Sequence, residues 1–366
     1  MNKGIICLTA FLCVCLAGCR KSDPEPQLQG SIRFAIEEVK TRSNEQIFEN
    51  VEQLKGKYIR LWGFRYTTKP NGDLDKSDSF MEDYEGLMCN VGTDDWYTCY
   101  LDGSDWSKNT YYWTPGAAHR FYAVFPTYAV GDSNPLDYTI LDYTIDEDTQ
   151  VVHMPQVTTV TLPDYTNNCQ DILYGIRNIP EQFHVQDYPE KVQLTMRHAC
   201  AALVFRIRNL TGSPINRILP TGDADWDKMY IKGVKYIGQM DLDPSGISWT
   251  LEDDRTSNQL YVKPLTEGAG TLANGATSVN TFTAIVLPQN FGSASMPHRF
   301  CVYNTGSDTP IKFELDLAKV SVVHDGVKSY EWRPGYRYIY TMDVTDTHII
   351  CTVSVVPWIE DETIIL

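Results

Sequence analysis

The most informative chemistry in this sequence belongs to one cysteine near its start, Cys19. It follows the run Leu16-Ala17-Gly18 and an apolar stretch, Gly4–Leu16, that is too short to span a bilayer. Small residues before a cysteine are what lipoprotein signal peptidase requires, and the cysteine sulfur then carries a diacylglycerol and begins the mature chain. The sequence therefore predicts a signal peptide over residues 1–18, lipidation of Cys19 and a polar tether over 19–30.

Charged residues indicate the membrane in which the protein is anchored and exclude some classes of partner. The residue two positions after Cys19 is Lys21, which is not acidic, and this favours anchoring in the outer membrane. The 366 residues contain 31 Lys plus Arg against 47 Asp plus Glu, giving a formal net charge of −16. Such an acidic chain is unsuited to bind nucleic acid or anionic lipid, because both require a positive surface.

Motifs for catalysis and for metal or phosphate binding are missing from the sequence. It contains no GxSxG, HExxH or Gly-rich phosphate-binding motif, and its seven histidines are scattered. Residues 71–82 have partly EF-hand-like spacing, but Lys76 stands where glycine is needed and a strand pattern precedes the loop. We interpret this segment as a polar hairpin loop, and His198 as a satisfied residue at a strand end. We expect no enzyme activity, no metal and no cofactor.

Two groups of residues leave alternatives open. Cys89 and Cys99 could close a disulfide within a hairpin, or remain unpaired, since no CxxC spacing indicates a metal or redox site. Trp96, Trp106 and Trp113 could form a sugar-stacking platform, or they could be core residues of a β-sandwich.

The elements that would position these residues are mostly strands. Alternating apolar residues separated by turn signals predict short strands, and one helical pattern covers Asn44–Lys55. We predict a mainly β protein with two tandem antiparallel β-sandwich domains and one or few short helices. The domain boundary is placed near Glu190, giving domains over 31–190 and 191–366. A new strand pair is expected to begin at Val192.

An ordered set of motifs over nearly the whole mature chain resembles the fimbrillin family, the subunits of type V pili of Gram-negative anaerobes. After the lipidation motif and a first strand, the set comprises Tyr111–Gly116, Arg120–Pro126, Asp171–Gly175, Val192–Ala199, Trp332–Tyr340 and Val353–Trp358.

The resemblance implies a lipidated, non-catalytic precursor of a surface fimbria that assembles with other fimbrial subunits, as a homo- or heteropolymer. In that family a trypsin-like protease removes the first strand, and a strand of the next subunit fills the groove. The displaced residues would be Ile32, Phe34 and Ile36, and the best match to the cleavage site is Arg42. Arg33 is the alternative, but cleavage there would split the strand.

The end of the sequence leaves the position in the fibre open. The candidate donor strand carries Ile350, Val353, Val355 and Trp358, and only eight residues follow it. Either this strand is donated, or the chain does not donate and is an anchor at the pilus base, while a tip adhesin would also need no extension. The alternative function is a surface lipoprotein of the outer membrane that binds glycans or host ligands, and its partners would then include ligands on host or bacterial surfaces.

Overall fold

In the computed structural model of this protein, most regular structure is β-strand, which confirms the predicted mainly β class. The structure describes residues 30–39, 58–81, 87–89, 96–102, 105–108, 110–125, 143–158, 171–213, 215–216, 229–235, 237–252, 259–261, 263–264, 271–272, 274–275, 279–291, 299–304 and 311–357. Several predicted features lie outside these residues: the signal peptide, Cys19, Arg42, Trp358 and the helix over Asn44–Lys55.

The first eleven strands precede residue 199. They are β1 Phe34–Val39, β2 Tyr58–Thr68, β3 Leu74–Ser79, β4 Leu87–Cys89, β5 Trp96–Asp102, β6 Asp105–Lys108, β7 Ala118–Phe125, β8 Thr144–Asp146, β9 Val151–Thr158, β10 Leu173–Ile179 and β11 Val192–His198.

The remaining strands and two short 3₁₀ helices complete the described elements. The strands are β12 Ala201–Asn209, β13 Ile215–Asn216, β14 Met229–Lys232, β15 Ile237–Asp243, β16 Gly246–Leu251, β17 Gln259–Tyr261, β18 Lys263–Pro264, β19 Thr271–Leu272, β20 Val279–Val286, β21 Gln289–Asn290, β22 Arg299–Asn304, β23 Ile311–Asp316, β24 Val322–His324, β25 Val327–Ser329, β26 Glu331–Trp332, β27 Tyr336–Val344 and β28 Ile349–Pro357. The 3₁₀ helices cover Val185–Asp187 and Leu317–Lys319.

The first strand belongs to a nine-stranded sheet with the order β1-β11-β10-β7-β2-β4-β5-β6, and β3 pairs with β2. β1 runs parallel to β11 and also pairs with β5 at one position, Phe34 opposite Trp96. The strand order is therefore closed, since β1 pairs with β11 at one end of the order and with β5 near the other end. β1 thus has a neighbouring strand on either side.

Alternation within these strands divides their side chains between two cores. Leu61, Phe121 and Leu194 face the core that β1 covers. Trp62 and Tyr122, one position along β2 and β7, face a second core on the opposite side of the sheet. Period-two alternation thus gives the sheet two buried faces, as expected for central strands covered on both sides.

A four-stranded sheet, β16-β15-β9-β8, supplies much of that second core. β9 pairs with β15 across more than eighty residues of sequence, with Met154 opposite Met240. This sheet therefore combines strands from both sides of the predicted boundary near Glu190. The boundary itself stays a prediction.

The third core lies behind a five-stranded sheet, β18-β20-β12-β27-β28. The sheet β17-β14-β22-β23 contributes Ile231 to the same core. The sequence predicts that the strands beginning at Val192 form a pair, but β11 and β12 do not pair with each other. β11 joins the first sheet and β12 joins the five-stranded sheet. The chain changes sheet at the buried residues Ala199 and Cys200.

Candidate functional site

Backbone hydrogen bonds hold the segment leading into β1 on both sides. The amide of Trp113 donates to the carbonyl oxygen of Gly30 at 2.9 Å, and the amide of Ile32 donates to that of Tyr111 at 2.7 Å. On the other side, the amide of Val192 donates to the carbonyl oxygen of Arg33 at 2.7 Å. The segment is seated between two neighbouring stretches of backbone, so its removal would leave polar groups of both without partners.

Three side chains of this segment point into the core in strict alternation. The exposed fractions of Ile32, Phe34 and Ile36 are 6 %, 1 % and 7 %. The ring of Phe34 meets that of Phe121 edge to face, with centroids 5.3 Å apart. These are the three residues that the resemblance assigns to the displaced strand, and the structure places all of them in one apolar groove, whose role stays a prediction.

The entry to the groove is narrow at Gly30. This glycine has a φ of +92°, in the left-handed region that side chains disfavour. A Cβ atom at this position would also lie 2.5 Å from Cγ1 of Val185, in the 3₁₀ helix that follows β10. The positive φ therefore favours glycine at this position, and any side chain here would also require the Val185 side chain to move.

A cluster of aromatic rings forms the end of the groove next to this entry. Trp113 stacks on Tyr188 with centroids 4.6 Å apart and an angle of 2° between the rings. His119 meets the Trp113 ring edge to face at 5.0 Å, and Phe80 approaches His119 at 5.7 Å. Trp113 is 6 % exposed, so its core interpretation is confirmed and it cannot stack on a sugar. Only the backbones of Trp96 and Trp106 are described.

The Tyr188 hydroxyl of this cluster contacts two loops beside the entry, one containing Thr114 and Ala117 and the other containing Gln182. The hydroxyl of Tyr188 lies 2.7 Å from the carbonyl oxygens of both Thr114 and Ala117 and can donate to either. Burial, with a smaller contribution from the positive charge of Arg65, lowers the pKa of His119 to about 4. His119 is therefore neutral near pH 7. Sequence reasoning missed His119 and Tyr188, because their neighbours come from distant parts of the chain.

Arg33, the alternative cleavage site, lies within the paired segment. Its side chain is 26 % exposed and its Nη1 is 3.8 Å from Oε1 of Glu190. Its carbonyl oxygen accepts the hydrogen bond from Val192, so the peptide bond after Arg33 is part of the sheet. A protease requires an accessible backbone, and this bond does not provide one in the folded chain. Arg42 lies outside the described residues.

The candidate donor residues on β28 do not share one face. β28 pairs with β27 over nine residues without a register shift. Val353 and Val355 pack against the core behind the five-stranded sheet, whereas Ile350 is 51 % exposed on the other face. β28 is thus an edge strand that pairs with β27 and packs one row of partly buried side chains on the chain's own core.

A buried acid–imidazole pair lies where the chain changes from the first sheet to the second. Oδ2 of Asp171 is 2.8 Å from Nδ1 of His198, and both side chains are almost fully buried. Burial raises the pKa of Asp171, while His198 opposes this shift. His198 is the last residue of β11, which confirms its predicted place at a strand end, and Asp171 is its ion-pair partner.

The register between β4 and β5 tests whether Cys89 and Cys99 can form a disulfide. Cys89 lies opposite Trp96, and Cys99 lies opposite Lys108 on β6. The two cysteines are therefore about three residues, or roughly 10 Å, out of register, which is beyond disulfide reach. The structure thus favours the unpaired alternative.

The described residues contain neither a metal-binding group nor a membrane-spanning helix. No cluster of three His, Cys, Asp or Glu residues in these ranges could hold a metal ion. Within the same ranges, no helix is both long and apolar enough to cross a bilayer. The loop after β2 joins it to β3 as the predicted polar hairpin.

Comparison with known proteins connects the chain to one family. A family model described as fimbrillin-like matches residues 71–358. Comparison with curated proteins yields no match.

Solved structures with low sequence identity are also similar. One is a putative cell adhesion protein from Bacteroides uniformis ATCC 8492, 16 % identical over 89 % of this chain and 98 % of that chain, with a TM-score of 0.46. A fimbrial protein from Bacteroides vulgatus ATCC 8482 is 10 % identical over 89 % and 99 %, with a TM-score of 0.44. The tip fimbrial protein Mfa3 from Porphyromonas gingivalis, with C-terminal truncation, is 9 % identical over 83 % and 95 %, with a TM-score of 0.37.

Proposed function

We propose that this chain, which belongs to the fimbrillin-like family, is a non-catalytic structural subunit of a fimbria on the bacterial surface. Its precursor is anchored in the outer membrane by acyl chains such as palmitate, carried on Cys19. Proteolysis after Arg42 then frees the first strand, and a strand of another fimbrial subunit takes its place.

The observation that supports this function best is the setting of β1. The strand buries three alternating apolar side chains, runs parallel to β11 and contacts β5 on its other side. Removal of β1 would expose an apolar groove between two unpaired strand edges. Another strand in the groove would pair with the backbone groups of both edges and cover the apolar surface. Because such a contact joins different surfaces of successive subunits, it propagates into a fibre rather than a closed dimer.

The cleavage step is tested with an arginine-specific endoprotease on the purified precursor. We expect one early cut after Arg42, identified by mass spectrometry, followed by ladders of multimers on gels. Arg42→Gln should abolish both, whereas the matched control Arg33→Gln should leave both intact. An unchanged early cut in Arg42→Gln, or a defined cut without multimers under any condition, would refute polymerisation by this route.

The lipid anchor and the place in the fibre require cells. Cys19→Ser should abolish incorporation of radiolabelled palmitate and release the protein from the outer-membrane fraction. Electron microscopy of cells lacking the gene separates two positions for the subunit: absence of fimbriae indicates a stem subunit, and long shed fimbriae indicate an anchor. Normal attached fimbriae would contradict both positions.

A further inference from the structure

We infer that the groove under β1 selects the incoming strand by its sequence: glycine at the entry, then apolar residues at every second position with an aromatic ring in the middle. This inference rests on the proposed strand exchange and specifies the partner that the exchange admits. A consequence is that β28 of an identical subunit fits the groove poorly, so the natural occupant comes from a different subunit.

The glycine requirement follows from the entry geometry. A strand that follows the path of the native segment passes Gly30 with a φ of +92°, and a Cβ atom there would be 2.5 Å from the Val185 side chain. The carbonyl oxygen of this residue also accepts the hydrogen bond from the Trp113 amide, which fixes its orientation. Because this bond fixes the backbone, the positive φ is retained, and a residue other than glycine would be strained even if the Val185 side chain moved aside.

The aromatic requirement follows from the middle position of the groove. Phe34 is the most buried of the three inward side chains, and its ring meets Phe121 in an edge-to-face contact. The apolar residues around it pack as a core, so a smaller side chain would leave a cavity. Ile32 and Ile36 occupy the positions on either side.

The chain's own sequence contains this pattern once. Gly30, Ile32, Phe34 and Ile36 form the only glycine followed at every second position by three apolar residues with an aromatic in the middle. The inward row of β28 is Ile349, Cys351, Val353 and Val355, which contains neither glycine nor an aromatic ring. The last described strand therefore lacks both features that the groove selects.

Peptide exchange tests the selection directly. The mature chain, cut by the arginine-specific protease, is incubated with biotinylated peptides, and incorporation is measured after removal of free peptide. The probes are residues 28–40 with the native sequence, the same peptide with Phe34→Ala or Gly30→Val, a control with Ala35→Ser, and residues 347–358. Ala35 is half-buried and does not line the groove, so its change should be neutral.

We expect the native and Ala35→Ser peptides to be incorporated equally, and the other three at least ten-fold less. Equal incorporation of all five would overturn the selection and leave strand exchange standing. If no peptide is incorporated, the proposed exchange fails. The melting temperatures of variants of the uncut chain then test whether the groove requires glycine at the entry and an aromatic ring in the middle. There Phe34→Ala and Gly30→Val should lower the melting temperature well below that of Ala35→Ser, and three equal melting temperatures would overturn the inference.

Discussion

Acidification should destabilise this protein through one buried histidine, His119. Its ring lies against Trp113, Phe80 and Tyr188 at centroid distances of 5.0, 5.7 and 5.3 Å, and the residue has no exposed surface. Burial is the main cause of its pKa of about 4, and the nearby charge of Arg65 acts in the same direction. A proton on this ring would place a charge among aromatic rings that cannot solvate it.

The sign and size of the effect follow from linkage. The folded pKa is about 4 and the ordinary value is 6.5, so between these values the unfolded chain binds more protons and stability rises with pH. The contribution is fully present above about pH 6.5 and is lost as the pH falls towards 4. The full difference corresponds to roughly 3 kcal/mol, of which about 2 kcal/mol is lost by pH 5.

The free energy of unfolding is measured by urea denaturation at several pH values between 7.5 and 5, with tryptophan fluorescence as the signal that reports unfolding. Burial also lowers the pKa of His324, and it raises that of Asp171, so the wild-type curve contains contributions of both signs. Comparison with His119→Phe isolates the single site, while His184→Phe controls for the removal of an exposed histidine. We expect the drop in unfolding free energy to be about 2 kcal/mol smaller in His119→Phe than in wild type. Identical pH dependence in the two proteins would refute the reasoning.

Two further predictions concern packing around the sheets. Gly238→Ala should lower the free energy of unfolding by about 1–3 kcal/mol, because the added methyl would lie 2.8 Å from the Thr250 carbonyl oxygen. Gly63→Ala should cost less, since its methyl would meet side-chain atoms of Met81 and Phe80 rather than backbone, and equal losses in urea denaturation would contradict this distinction. Tyr188→Phe should cost about 1 kcal/mol by removing the hydroxyl that donates to the carbonyl oxygen of Thr114 or Ala117, and should raise amide hydrogen exchange in residues 110–117. Unchanged exchange there would show that the hydroxyl does not hold the loop.

Local patterns predicted the strands of this fold well, because alternation is a property of neighbouring residues. Ile32, Phe34 and Ile36 were assigned to the first strand through the resemblance, their alternate spacing agrees with one buried face, and the structure buries all three. The strand expected to begin at Val192 was also found, as β11.

Pairing between distant segments could not be predicted in the same way. The sequence treats β11 and β12 as a pair, yet the short buried link at Ala199 and Cys200 sends them to different sheets. The pairing of β9 with β15 and the stacking of Trp113 on Tyr188 each join residues more than seventy positions apart. No local periodicity encodes such contacts, because they depend on which buried faces meet when the whole chain folds.

The two ends of the described chain differ in how readily a strand could leave its sheet. β1 has six residues, a register shift between Ile36 and Glu38, and parallel pairing, which is slightly weaker per residue than antiparallel pairing. β28 has nine residues in unbroken antiparallel register with β27, and four of its side chains pack on the core. Removal of β28 would therefore break a longer ladder than removal of β1 and would expose the core behind the five-stranded sheet. If the proposed strand exchange takes place, release of β1 would thus cost less than release of β28.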